Sequence, residues 1–134
     1  MKKLVRVSMF YMIFGLIAGV YYRELTKFYN YSGETQLSTL HTHILVLGMF
    51  FFLIVLLLEK NFQLTQHKNY KKFYALYNSG LGITLLVMII HGTLTVLGDS
   101  SGAAISGIAG LGHIILTIGL GYFFNVLFGS VESN

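Results

Sequence analysis

Residues 44–58 contain no charged side chain, and this apolar run begins directly after His41-Thr42-His43. Hydropathy and length predict four segments of this kind, at about 4–22, 35–58, 73–97 and 103–128. Each is close to the ~20 residues that cross a ~30 Å hydrocarbon layer as helix. Composition agrees, since 54% of the 134 residues are hydrophobic and only 10% are charged, against about 25% in a soluble domain. The expected fold is all-α: one domain, residues 1–134, forming an integral membrane four-helix unit in contact with the lipid bilayer.

The basic residues flank the apolar runs and do not form a patch with interleaved aromatics, which argues against a nucleic-acid partner despite a net charge of +4. They read as topology signals. With both termini inside, Lys2, Lys3, Arg6, Lys60, Lys68, Lys71 and Lys72 lie on the inner side, and only Arg23 and Lys27 on the outer. That positive-inside bias predicts an N-in/C-in arrangement. The lysines at the start lead into an apolar segment with no Ala-x-Ala-type cleavage site, so a retained first span is expected. Between the spans, residues 29–33 and 61–72 are polar, and Gly98-Asp99-Ser100-Ser101-Gly102 has turn chemistry.

The chain has no Cys, which leaves out disulfides, zinc-thiolate sites, iron–sulfur clusters and covalent c-type haem. Histidine is the best remaining ligand. Residues two apart on a helix project about 200° from each other, so His41 and His43 face different ways. That geometry suits a helix standing between two sites. At 1.5 Å of rise per residue, His41, His43, His91 and His113 all fall in the outer half of the bilayer, within a slab ~6 Å thick. Ligand-capable side chains within a span are functional candidates, and a common depth points to a shared metal or haem environment. Simple interhelical hydrogen bonding is the bland alternative. His67 lies in the polar linker and reads as a solvated loop residue.

A transition metal held by three or four His fits such a set, as does b-type haem, which needs one or two axial His and a crevice. Small-residue stripes in the fourth span (Gly102, Ser106, Gly110; Ala103, Gly107; Ala109, His113, Thr117, Gly121) leave room for another helix or for something flat. Phe50, Phe51 and Phe52 supply aromatics, and Arg23 and Lys27 at the outer mouth are candidate partners for haem propionates. Gly15 and Gly19 have the spacing that admits a neighbouring helix closely. One face of the third span (Tyr77, Gly80, Thr84, Met88, His91, Thr95) is too polar for lipid. Haem b fits these features better than a free metal ion.

The motifs Tyr22-Arg23-Glu24 with Lys27-Phe28, His41 through Gly48, and Ala103 through Gly110 leading to Gly112-His113 resemble a small uncharacterised family of bacterial four-span membrane proteins. The His-x-His of the second span also resembles the catalytic subunit of haem-copper oxidases, where one helix carries two such histidines facing opposite ways. That subunit has three four-helix arcs with pseudo-threefold symmetry. The resemblance implies that one chain stands for one arc, and that a homotrimer with haem at each boundary rebuilds the body. His91 has the place of a copper ligand, but it is followed by Gly92, so the paired histidines of the oxidase copper site have no counterpart. His113 has no equivalent in that family.

The expected function is therefore a b-type haem protein of the bacterial cytoplasmic membrane, ligated by His41 and His43, serving electron transfer or small-gas or haem handling, and possible as a respiratory chain component. The alternatives are a copper, zinc or haem chaperone for oxidase assembly using His91 and His113, and a structural accessory subunit.

Overall fold

The computed structural model describes residues 1–99 and 102–132, and the regular elements among them are all helical. Four helices are long and apolar enough to cross a membrane: Lys2–Phe28, Leu37–Phe62, Tyr70–Leu97 and Ala103–Glu132, the first to fourth helices below. The first continues past Tyr22 to Phe28, so Arg23, Glu24 and Lys27 lie on helix and not in a connection. It ends where Asn30 takes a left-handed φ of 48°. The third ends at Gly98 (φ 84°), with Asp99 N–H bonded to the Leu94 carbonyl, the usual left-handed glycine stop. Of the expected turn that follows, Ser100 and Ser101 lie outside the described residues.

The second helix is interrupted. Between its α-helical parts, Leu37–His43 and Phe51–Phe62, residues Ile44–Phe50 are π-helical. A π segment is wider than an α-helix and presents its carbonyls differently. Neighbouring helices supply extra donors to it. Ser8 Oγ donates to the Met49 carbonyl at 2.9 Å and Tyr77 OH to the Leu47 carbonyl at 2.8 Å. At its centre a side chain on Gly48 would collide with the Tyr11 ring, so glycine is what lets the first helix press against the bulge.

Aromatic rings fill the interior around this segment. Phe51 stacks on Tyr77 at 4.1 Å and meets Phe123 at 5.2 Å; Phe52 stacks on Tyr11 at 5.9 Å. Of the three phenylalanines expected to line a haem crevice, Phe51 and Phe52 are thus committed to the chain's own core, and Phe50 is exposed. A π segment with its own twist turns successive residues to faces that a simple 100° wheel does not give.

The third and fourth helices touch backbone to backbone. A Cβ on Gly119 would stand 2.7 Å from the Tyr77 nitrogen and one on Gly112 2.9 Å from Thr84 Oγ1, while one on Gly80 would strike the Leu116 backbone. The first helix uses Gly15 and Gly19 against the second, facing Leu45 and His41, as their spacing predicts. It also bonds the third helix: Tyr11 OH to Asn78 Oδ1 at 3.0 Å and Tyr21 OH with Thr93 Oγ1 at 2.9 Å. The polar face expected on the third helix is turned inward, with Tyr77, Gly80 and Thr84 buried.

Gly80→Ala should lower stability by about 2 kcal/mol, because overpacking a tight contact forces the helices apart. Gly82→Ala, where nothing lies within 4 Å, should leave stability unchanged or slightly raised. Reversible unfolding in mixed micelles measures both, and equal effects would contradict the contact.

Candidate functional site

The histidines differ in how their rings are held. His43 Nδ1 lies 2.9 Å from the Thr39 carbonyl, and His113 Nδ1 lies 2.8 Å from the Ala109 carbonyl. A carbonyl only accepts, so in both rings Nδ1 carries the proton and donates. In the neutral ring Nε2 then presents its lone pair away from the helix. His41 is held otherwise: its Nδ1 is buried without a partner, its Nε2 is 3.4 Å from Thr42 Oγ1, and its Cβ and Cγ lie against Gly19. His91 also buries an unpartnered Nδ1. Unpaired buried polar atoms are few in folded proteins, and each calls for an explanation such as an ion or redox group.

Contacts between helices place these rings in depth. Gly92 meets Thr35 and Leu37, so His91 stands level with the start of the second helix. His41 and His43 follow one to two turns deeper, and His113, next to Gly112 on Thr84, lies roughly 12 Å below His91. The slab is wider than the ~6 Å expected from the spans alone, because the fourth helix is packed lower against the third than equal span lengths imply. Without His91 it narrows to roughly 7 Å.

The expected sites are also spread in direction. His113 and Thr117 are exposed on the fourth helix, and Gly102, Gly107, Gly110 and Gly121 have open space where a side chain would stand. The stripes predicted as a crevice therefore face away from this chain's own helices, which use Gly112 and Gly119 instead. Arg23 pairs with Glu24 (Nε to Oε1 3.2 Å) on a highly exposed surface. Among the described residues no group of three or more His, Cys, Asp and Glu comes together.

His91 lines a cavity of about 530 Å³ where the second helix starts and the third ends, with Glu34, Gln36, Ser38, Thr39 and Thr95. Its hydroxyl protons are directed to backbone carbonyls: Thr35 to Gly92, Ser38 to Thr35, Thr39 to Gln36, Thr95 to His91. Thr35 Oγ1 also accepts from Leu37 N–H at 3.3 Å, and the oxygens of Ser38, Thr39 and Thr95 remain as acceptors beside the Glu34 carboxylate. Thr39 joins this cavity to His43 through its carbonyl. No residue type marks a carbonyl that fixes a tautomer, so the sequence holds no sign of it beyond the spacing of four. His67, expected to be solvated, is half-buried: its Nδ1 accepts from Asn69 N–H at 3.2 Å, and its ring occupies the space beside Gly129.

Imidazole ¹⁵N spectra of selectively labelled protein should show Nδ1 protonated in His43 and His113, and Nε2 protonated in neutral His67. The opposite tautomer at His43 would remove the geometry described.

No curated protein and no solved structure matches the chain. A family model does, over residues 1–130, and the chain accordingly belongs to DUF2871, described as a protein of unknown function.

Proposed function

We propose that the chain is a multi-pass membrane protein that binds b-type haem through His41 and His43, at the boundary between copies of itself. The observation that carries this reading is the His43 ring, held by Nδ1–H on the Thr39 carbonyl at 2.9 Å. Metal-binding imidazoles are commonly oriented this way, since the second hydrogen bond fixes the tautomer and raises the basicity of the free nitrogen. The buried, unpartnered Nδ1 of His41 on the other side of the same helix supports a second group there. The π segment that starts at Ile44 agrees, as such bulges recur at functional sites.

The donor set fits haem better than a bare ion. Two imidazoles facing apart would each hold a separate flat group, and among the described residues no cluster of three or more such ligands forms, which argues against an ion bound within one chain. When bound, haem would supply one-electron chemistry. The chain's part is to fix ring orientation, to exclude water with the apolar flanks of the second helix, and to hold each group between neighbours. Were the iron held by one imidazole from each of two chains, it would be suited to electron transfer and not to small-gas binding. The arrangement follows the resemblance to one arc of a haem-copper oxidase: three chains in a ring, N-in/C-in in a bacterial cytoplasmic membrane. Arg23, once released from Glu24, is the candidate partner of a propionate.

A second reading is handling of copper or zinc, favoured by the outward Nε2 of His113 and the acceptor-lined cavity at His91. Elemental analysis of purified protein separates the two.

Protein purified after expression with ample haem should show a Soret band and the mass of a trimer. His41→Ala and His43→Ala should each remove most of the haem, while His67→Ala keeps it. Colourless folded protein, or full haem in both motif variants, would refute the ligand assignment.

A further inference from the structure

At the opposite end of the molecule from the cavity at His91 lies a second one, of about 580 Å³, where the second helix ends beside the fourth. Gln63, Gln66, His67, Lys68 and Gly129 line it. Its chemistry is the reverse of the acceptor-lined one. His67 accepts at Nδ1, so in the neutral ring Nε2 carries a proton to donate. The Gln66 amide donates to Gln63 Oε1, which leaves the Gln63 N–H groups facing elsewhere. Lys68 adds a full positive charge. Among the described residues no carboxylate lines the cavity, and the nearby Glu59 is engaged by Thr65 N–H at 2.8 Å and by the Thr65 hydroxyl.

The surroundings add charge of the same sign. Lys2, Lys3, Arg6, Lys60, Lys68, Lys71 and Lys72 belong to this end, against Glu59 and Glu132. Lys3 and Lys72 rest over the Tyr74 and Tyr122 rings, at 4.0 and 5.9 Å from their centres. Among the described residues none of these cations forms an ion pair.

Gln63 supplies an independent observation. It caps the second helix in the left-handed region, at φ 50° and ψ 46°. Glycine is the residue that takes this conformation without steric cost, so a glutamine here is strained. Strain of this kind is found where a side chain is needed at a functional site. The Gln63 amide at the rim of a donor-lined cavity is such a side chain.

Beside the cavity the surface is apolar. Phe128, next to Gly129, is 67% exposed and lies 6.4 Å from the ring of Phe124, itself 52% exposed. We infer that this cavity binds the phosphate headgroup of an anionic lipid, with Gln63, His67 and Lys68 donating to the phosphate oxygens and an acyl chain lying along Phe124 and Phe128. Basic pockets between helices at the inner leaflet recognise such headgroups. The inference does not depend on haem.

The test is binding of short-chain phosphatidylglycerol to the purified full-length protein, followed by native mass spectrometry and by thermal shift, with phosphatidylcholine and inorganic phosphate as parallel probes. Phosphatidylglycerol should stay bound and raise the melting temperature, and the other two should do so at least tenfold less effectively. Lys68→Gln should weaken phosphatidylglycerol binding about tenfold. Gln63→Gly is the decisive variant, because relief of backbone strain should raise the melting temperature of the lipid-free protein while lipid binding falls. Gln63→Gly protein that binds phosphatidylglycerol like the parent would overturn the proposal. So would inorganic phosphate as effective as the lipid, which would mark a site for a free anion.

Discussion

A backbone carbonyl left unpaired in an apolar environment costs several kcal/mol, and the π segment Ile44–Phe50 puts carbonyls where the helix's own ladder is irregular. The fold around it is arranged to meet them. Ser8 comes from the first helix and Tyr77 from the third, each with a hydroxyl directed at one carbonyl of the segment. Tyr77 also carries the stack on Phe51, and its backbone is the floor against which Gly119 of the fourth helix rests. One residue thus ties the third and fourth helices to the stretch that follows the paired histidines. The orientation of the His-x-His turn is inherited from that network, because the π segment starts where the turn ends.

Much of this was legible in the sequence, and the limits have physical causes. Four apolar runs gave the number and order of helices, since length against hydrocarbon thickness leaves little choice. The Gly15 and Gly19 spacing and the inward face of Tyr77, Gly80 and Thr84 followed from helical periodicity. The π segment did not, because nothing in Ile-Leu-Val-Leu-Gly-Met-Phe opposes an ordinary α-helix; it forms because Tyr11 packs over Gly48 and two distant hydroxyls compensate it. For the same reason the roles of Phe51 and Phe52 were misplaced. The fourth helix offered more small residues than its one partner needs, and only packing showed that Gly112 and Gly119 are used and that the Ala109, His113, Thr117, Gly121 stripe is not.

The candidate site was legible as residues and not as geometry. His41 and His43 are marked by their place at the head of an uncharged run. The difference between them, one ring held by a carbonyl and the other buried with an unpartnered nitrogen, depends on backbone four residues back and on the first helix at Gly19. A polar linker suggests solvent around His67, whereas the short 3-10 turn Leu64–Gln66 folds it against Gly129.

The polar groups of the molecule divide into those whose hydrogen bonds close within the chain and hold the fold together, and those left over, at the surface or, as with Nδ1 of His41 and His91, buried without a partner. Tyr11, Tyr77, Asn78, Ser8 and Thr84 are all satisfied internally. The hydroxyls at the His91 end turn their protons to backbone and leave oxygens for a donor, while the His67 end leaves N–H groups for an acceptor. In between, His43 and His113 each satisfy one nitrogen and present the other to whatever lies beside the helix. In a lipid surround a lone pair so presented has no partner, and the fixed tautomer rules out relief by moving the ring proton. A molecule built this way is complete in its packing and incomplete in its hydrogen bonding.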